Sequence, residues 1–463
     1  MNSTIVDVKD FIDNRSMSAY QWLLLVLCVI VAALDGVDTA AMGFIAPSLM
    51  KDWHISRVAF GPVLSAVLFG FALGACLIGP LADRVGRRKI LIFSVLLFGG
   101  FNSLCSLAQS PTQLIFLRLL AGIGLGAAMP TAATLLSEYA PTRLRSSLIT
   151  VMFAGFALGS GLSGFMASYL LRTYSWRDVL LVSGLLPILS VPLLVWLLPE
   201  SARFMAVQGR SPKDIARTLK RVCAARFGED VSFTSLEPSL TAGRLPVQQL
   251  FRDGFGFPTI MLWISCFMGL LIVYLVTGWL PTLISDAGYS VQNAASMAAV
   301  FQIGSIPGAL LIGFLMDRFD SSKVVSIAYI LGGTAIFTLG VNILNAAWLP
   351  AQVAFAGFFL GGAQTGLNAL APGMYPTRAR ATGVSWMNGV GRGGAILGYL
   401  IGGLLLSLGW HFGAVFAALS MPALIAATAI LANRYATRGA DSKALLQYQG
   451  QAVATAAPSL KGK

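Results

Sequence analysis

Apolar residues in this chain fall in long, continuous runs and do not alternate with polar ones. Twelve such runs cover 21–45, 60–82, 90–108, 112–137, 147–171, 177–198, 257–280, 294–316, 324–343, 349–372, 381–406 and 411–433. Each has roughly the 20 residues that an α-helix needs to cross the hydrocarbon core of a bilayer. Membrane-spanning strands would be half as long and would alternate. The pattern predicts an all-α integral membrane protein with twelve transmembrane helices.

An internal repeat divides the runs into two sets of six. After a shift of 234 residues, Gly70–Arg84 aligns with Gly304–Arg318 with nine identical positions of fifteen, and Trp176 aligns with Trp410. Transporters are often built from such repeats, with the solute site between the halves. We therefore predict two pseudo-symmetric six-helix bundles. The predicted division is a segment at 1–20, a bundle at 21–198, a linker at 199–256, a bundle at 257–433 and a tail at 434–463.

The linker contains one recognisable helical signal. Ser211-Pro212 is a typical helix start, and Ile215, Leu219 and Val222 then mark one apolar face. Such a helix either lies along the membrane interface or forms a solvated spacer.

Composition and charge agree with a membrane protein. Hydrophobic residues make up 56% of the chain and charged residues 11%, against about a quarter charged in soluble domains. If the N-terminus is inside, 26 of the 32 Lys and Arg residues lie on the cytoplasmic side and 4 on the opposite side. This asymmetry predicts that both termini are cytoplasmic. The basic residues lie at helix ends without interleaved aromatics, which argues against nucleic-acid binding.

The sequence contains no enzyme-like set of residues. Four of the five cysteines lie inside apolar runs and none has metal-ligand spacing, while the two histidines, His54 and His411, lie near the ends of runs. A glycine loop for phosphates is also absent. We expect no covalent chemistry, no cofactor, no metal and no ATP, and a carrier that functions as a monomer.

One loop carries a family resemblance. Gly79-Pro-Leu-Ala-Asp-Arg-Val-Gly-Arg-Arg-Lys89 resembles the signature that the major facilitator superfamily has between its second and third helices, with a weaker copy at Gly313–Lys323. Within that superfamily, Leu34–Gly43 and Pro199–Phe204 resemble segments of the aromatic acid:proton symporters. The likeness covers residues 5–433 and is closest to permeases for 4-hydroxybenzoate and protocatechuate.

The resemblance implies uptake of a hydroxylated aromatic carboxylate (4-hydroxybenzoate, protocatechuate or gallate) with protons, across a bacterial inner membrane, by alternating access. It also implies that seven charged positions matter: Asp35, Asp38, Asp83, Arg118, Glu138, Asp317 and Arg392. The fifth run lacks the Gly-Pro pair typical of drug antiporters. Proton-coupled efflux of aromatic acids or drugs remains an alternative, as does a membrane sensor that binds aromatic acids without transport.

Two acids in the first run are candidates for proton coupling. Asp35 and Asp38 are three residues apart and therefore project from one helix face. Charges at a helix centre are costly in lipid, and two acids together repel, so at least one is expected to hold a proton. The repeat puts Gly269 and Ile272 at the matching positions. The other interpretation is a structural pair with an arginine.

Two arginines inside the runs are candidates for substrate binding. The guanidinium of Arg392 offers a planar fork that matches a carboxylate, and Asn388 lies one turn away on the same face. The alternative for Arg392 is a salt bridge to the aspartates of the first run. For Arg118, a structural pair, a role in proton transfer and ligand contact all stay open.

Aromatic walls and a gate complete the predicted machinery. Trp386, Tyr274, Trp279, Phe301 and Tyr399 are candidates for the ring contact, although each also fits a core or lipid-facing position. The predicted gating residues at the cytoplasmic side are Asp83, Arg87, Glu138, Asp317 and Arg380. Asp83 is expected to cap a neighbouring helix N-terminus. Glu138 is expected to join a network with Arg143 and Arg145.

Overall fold

The computed structural model describes residues 4–223, 231–234, 251, 256–341, 348–375 and 380–456 of the 463-residue chain. Within these ranges, twelve helices are long and apolar enough to cross a membrane. The predicted all-α membrane architecture is therefore confirmed.

The elements follow in chain order. The first half contains β1 Thr4–Asp7, α1 Val8–Asp13, α2 Ala19–Trp53, α3 Arg57–Leu77, α4 Ala82–Val85, α5 Arg87–Cys105, α6 Pro111–Tyr139, α7 Arg145–Leu170 and α8 Trp176–Leu197. The linker contains α9 Ala202–Val207, α10 Pro212–Cys223 and β2 Val231–Thr234. The second half contains α11 Gly256–Asp286, α12 Val291–Arg318, α13 Ser321–Val341, α14 Leu349–Leu370, α15 Arg380–Ser407 and α16 Phe412–Ala456.

Serine residues mark where many of these helices begin. The side chains of Ser18, Ser56, Ser110, Ser175 and Ser290 accept backbone N–H groups in the first turns of α2, α3, α6, α8 and α12. Such caps satisfy donors that have no partner inside the helix. The chain thus carries its own signals for leaving the loops and entering the membrane.

The packing of the two halves is the same. In the first half α2 packs on α7 and α8, α6 packs on α3 and α5, and α5 packs on α8. In the second half α11 packs on α15 and α16, α14 packs on α12 and α13, and α13 packs on α16. Between the halves α7 packs on α12, α15 on α3, and α2 on α11. Exchanging the halves leaves this pattern unchanged, as a near two-fold relation requires.

The bundle has two distinguishable ends. We call the end where α9 and α10 pack beside α2 the linker end, and the end where α2 stops and α3 begins the far end. Polar contacts between the halves join Gln292 to the Leu171 carbonyl (2.8 Å), Ser296 to Ser168 (2.7 Å) and Arg57 to Asp286 (2.7 Å). All three lie at the far end. Between described residues of the two halves, no hydrogen bond or ion pair forms at the linker end.

The N-terminal segment is attached to the linker. β1 pairs in parallel with β2, with Thr4 opposite Val231, and α1 buries Val8 and Ile12 against this layer. Thr142, which follows α6, donates its backbone N–H and its hydroxyl to Asp13 at 2.7 and 2.6 Å. Residues 4–13 therefore brace the first half and the linker together.

Two features depart from the sequence-based expectation. The first apolar run was expected to end at residue 45, but α2 continues to Trp53 with Pro47 inside it. Neighbouring helices can compensate the backbone group that a proline frees. The linker helix α10 buries Ile215, Leu219 and Val222 within the protein, so its apolar face is used for packing against α2 and α9.

Candidate functional site

The centre of α2 is held tightly by α7. Ser160 and Ser163 donate their hydroxyls to the backbone carbonyls of Gly36 and Val37, each at 3.1 Å. A Cβ atom at Gly36 would lie 2.1 Å from the Phe156 carbonyl oxygen, so only glycine permits this approach. The residues around Gly36 therefore sit on a fixed piece of backbone.

Asp38 belongs to a buried polar chain in the first half. Its Oδ1 lies 3.0 Å from Nη1 of Arg118, and the same Nη1 lies 3.0 Å from the Asn102 side-chain oxygen. Asn102 in turn donates to the Ser183 hydroxyl at 2.9 Å. The side chains of Asp38 and Arg118 are almost completely buried. Helices α2, α6, α5 and α8 thus each supply one member.

Part of this chain has unused hydrogen-bonding capacity. Oδ2 of Asp38 and both Nε and Nη2 of Arg118 are buried without a hydrogen-bond partner in the described residues. Buried polar groups in this condition are uncommon and costly. A charge pair that retains free donors and acceptors can exchange partners, as proton transfer requires, whereas a fully satisfied pair is locked.

Asp35 lies on the same helix in a different environment. It is buried, and its one described side-chain hydrogen bond comes from the Thr39 hydroxyl at 3.1 Å. Among neighbouring charges, Arg392 of the second half acts on it most strongly. The two aspartates therefore differ: Asp38 is paired within its own half, and Asp35 faces a cation across the interface.

Arg392 extends from α15 toward the first half. Its Nη1 donates to the Tyr274 hydroxyl at 2.7 Å, and its guanidinium carbon lies 4.0 Å from the centre of the Phe71 ring. Phe71 belongs to α3 and Tyr274 to α11, so the cation lies between the halves. Arg392 forms no ion pair with a described acid. The alternative of a salt bridge to the α2 aspartates is instead realised by Arg118 and Asp38.

The polar and aromatic candidates around Arg392 divide into two groups. Asn388 is exposed, and its side chain donates to the Val384 carbonyl of its own helix at 3.1 Å. Tyr274 packs edge-to-face on the buried Tyr399, with ring centres 5.4 Å apart. Trp386 lies elsewhere, stacked on Trp263 at 5.9 Å. The structure brings Tyr274 and Asn388 to the Arg392 face and leaves Trp386 off it.

Two further aromatic candidates are core residues. Trp279 is fully buried, donates its ring N–H to the Tyr399 carbonyl at 2.9 Å and packs on Phe60. Phe301 is 2% exposed on α12. Both have packing roles close to the interface between the halves.

The predicted gate residues at the linker end include one ion pair. Arg87 Nη2 lies 3.2 Å from Oε1 of Glu138, so Glu138 pairs with Arg87 on α5. Arg143 and Arg145, the partners expected from the sequence, donate to backbone carbonyls of Arg15 and Ala140 instead. Arg87 and Glu138 both belong to the first half.

The loop between α4 and α5 is fixed by the residues that follow α8. The Glu200 carboxylate accepts the backbone N–H of Arg88 at 3.2 Å, in the first turn of α5. Gly86 has a φ of 117°, and a Cβ there would lie 2.3 Å from Glu200 Oε2, so glycine is required. The side chains of Asp83 and Arg380 lie outside the described residues. Asp317 is exposed and has no partner among the described residues.

Four residues of this site were not singled out in the sequence. Asn102, Ser183 and Thr39 are polar positions within apolar runs, which is a usable signal, since polar groups in a membrane helix need partners. Phe71 carried no signal, because one phenylalanine in an apolar run resembles any other.

Two parallel six-helix halves, with buried charges in one half and an arginine reaching across from the other, define a secondary transporter of the membrane. The family model of the Major Facilitator Superfamily matches residues 28–351 and 288–455. The chain therefore belongs to the major facilitator superfamily, a family of transporters. The prediction of a carrier rather than an enzyme is confirmed.

Known relatives cover almost the whole chain. A protein named gallate transporter from Pseudomonas putida is 53% identical over 93% of this chain and 96% of its own length. The 4-hydroxybenzoate transporter PcaK of the same organism is 46% identical over 92% and 95%. The fold is similar to the inward-open xylose transporter XylE from E. coli, with a TM-score of 0.69, 17% identity, and 88% and 95% of the chains covered.

Proposed function

We propose that this transporter takes up hydroxylated aromatic carboxylates of the gallate and 4-hydroxybenzoate class together with protons. The observation that carries the proposal is the position of Arg392, a cation between the halves with Phe71 on one side and Tyr274 on the other. A guanidinium can bind a carboxylate with two parallel hydrogen bonds, and the rings offer flat walls to an aromatic ring. The names of the most similar relatives support this substrate class.

The coupling to protons follows from electrostatics between Arg392 and Asp35. The positive charge of Arg392 favours the ionised form of Asp35. A substrate carboxylate bound to Arg392 offsets that charge, so the neutral, protonated form of Asp35 becomes favoured. Substrate and proton then load together, which is the definition of symport. Asp38 and Arg118, already paired, form the second station of this path.

We propose that the linker end faces the cytoplasm of a bacterial cell and that both termini lie there. The excess of Lys and Arg residues on that side supports this orientation. With the far end closed by contacts between the halves, the described conformation is then inward-facing. The opposite closure completes an alternating-access cycle, carried out by a single chain.

The direct test is uptake into membrane vesicles with an imposed pH gradient. Radiolabelled gallate, 4-hydroxybenzoate, protocatechuate and benzoate are compared with and without a protonophore. We expect accumulation of the hydroxylated acids that the protonophore abolishes. Binding without accumulation would indicate a sensor, and extrusion would indicate an efflux carrier; either result contradicts the proposal. The variant Arg217→Lys, on the exposed linker helix, is the control for Arg392→Lys.

A further inference from the structure

Arg57 closes the far end of the molecule like a clasp. It is the first residue of α3, and its Nη2 lies 2.7 Å from Oδ2 of Asp286, the last residue of α11. Its Nη1 also donates to the Leu406 carbonyl, near the end of α15, at 3.4 Å. One side chain of the first half therefore contacts two helices of the second half. Carbonyls at a helix C-terminus carry partial negative charge and favour a cation.

The backbones at this point are also close together. A Cβ atom on Gly403 of α15 would lie 2.6 Å from the Arg57 carbonyl oxygen. Below the clasp, Phe60 packs edge-to-face on Trp279 of the second half, with ring centres 6.0 Å apart. Any separation of the halves at the far end must therefore break the contacts of Arg57.

The ion pair is suited to reversible use. Its two side chains are 37% and 40% exposed, and an exposed pair is weak because water screens it. A cavity of about 390 Å³ lies beside it, lined among others by Lys51 and Thr282. This space gives the side chains room to part without a clash.

A second ion pair provides an internal comparison. Arg177 Nη1 lies 3.1 Å from Asp52 Oδ2 at the same end of the molecule, and these side chains are 39% and 48% exposed. This pair resembles the clasp in chemistry and exposure, but both of its members belong to the first half. Among the ion pairs of the described residues, Arg57–Asp286 is the one that joins the halves.

We propose that Arg57 and Asp286 form the outer latch of the transport cycle, which holds the far end closed while the site is open to the linker end. The inference rests on the alternating access of the proposed function. Arg57 and Asp286 do not contact the substrate in this account. They set how much of the population has its far end open.

The latch can be tested by the accessibility of a reporter cysteine behind it. Leu64 is 1% exposed on α3, packs against Gly278 of the other half, and lies seven residues, about 10 Å along the helix, below Arg57. In a variant whose five native cysteines are replaced, Leu64→Cys is the reporter. A charged, membrane-impermeant thiol reagent is applied to right-side-out and, separately, to inside-out vesicles, so that the side of entry is measured.

We expect Arg57→Gln and Asp286→Asn each to raise the rate of labelling from the far end by about two- to fivefold, the range for loss of an exposed ion pair. Arg177→Gln, the matched control, should leave the rate unchanged. Exchange of the two charges, with Arg57→Asp and Asp286→Arg together, should restore slow labelling.

Labelling at the parent rate in both single variants would overturn the latch, as would an equal increase in Arg177→Gln or a failure of the exchanged pair to restore slow labelling. The readout requires no substrate. Failure of the proposed function would instead be an absence of aromatic acid uptake by the unaltered protein, so the two failures are distinguishable.

Discussion

The two halves of this transporter share one helix arrangement but differ in where their charges lie. In the first half, Asp38 and Arg118 form a buried ion pair at 3.0 Å. The same positions in the second half, 234 residues later, are Ile272 and Gln352. Conversely, Arg392 of the second half reaches toward the first, and the matching position there is Leu158.

The difference indicates a division of work between the halves. A shared fold explains positions that match, so unmatched charges require another explanation. Buried charges are expensive in a membrane helix and are retained where they serve function. We assign the buried acids of the first half to the proton and the arginine of the second half to the substrate carboxylate. Asp35 connects the two tasks because it faces Arg392.

The largest expected effect comes from breaking the buried pair. Arg118→Leu leaves Asp38 buried without its partner, which costs about 3–5 kcal/mol of stability for such pairs. Arg57→Leu, which breaks an exposed pair, should cost at most about 1 kcal/mol. Unfolding in detergent measures both. The double variant Arg118→Leu with Asp38→Leu should recover much of the loss, and no recovery would contradict the pairing as described.

A smaller effect is expected in the second half. Arg392→Lys keeps the charge but loses the two-pronged geometry, so apparent affinity for the aromatic acid should fall by about 1–3 kcal/mol. Stability should change little, because Arg392 is only half-buried and forms no described ion pair. Equilibrium binding to purified protein checks this. Unchanged affinity, with the control Arg217→Lys also unchanged, would remove Arg392 from the site.

The smallest effect concerns the brace on the first half. Burial disfavours the charged form of Asp13, but the hydrogen bonds from Thr142 outweigh it, and the pKa of Asp13 lies below its usual range. A carboxylate with a lowered folded-state pKa adds stability above its unfolded pKa, about 3.9, and loses it as pH falls through the folded value.

Asp13→Asn should therefore lower stability at pH 7 by about 0.5–1.5 kcal/mol, and the difference from the parent should shrink below pH 4. Asp10→Asn, on the exposed face of the same short helix, is the control and should have no measurable effect. Thermal unfolding at the two pH values provides the comparison. An equal loss in both variants would show that the Asp13–Thr142 contact contributes nothing specific.

The sequence predicts the membrane helices and their repeat because both depend on local patterns. Runs of apolar residues and capping serines are visible one segment at a time. The N-terminal brace is not visible in this way, since β1 and β2 lie more than 200 residues apart and each has only four residues.

The charged site was predictable in its members but not in its pairing. Asp38, Arg118 and Arg392 stand out as charges inside apolar runs. Which arginine meets the aspartate depends on how each helix is rotated in the bundle, and spacing along one chain does not contain that information. Trp386 shows the same limit, because its ring stacks on Trp263 and not beside Arg392.

The most direct test of the division of work compares two transport modes in Asp35→Asn. Asparagine resembles the protonated acid and cannot release a proton. The account predicts that this variant exchanges labelled for unlabelled aromatic acid across the membrane but does not accumulate it under a pH gradient. Asp214→Asn, on the exposed linker helix, should perform both. Gradient-driven accumulation at the parent level in Asp35→Asn would contradict the account, because the coupled proton would then be carried elsewhere.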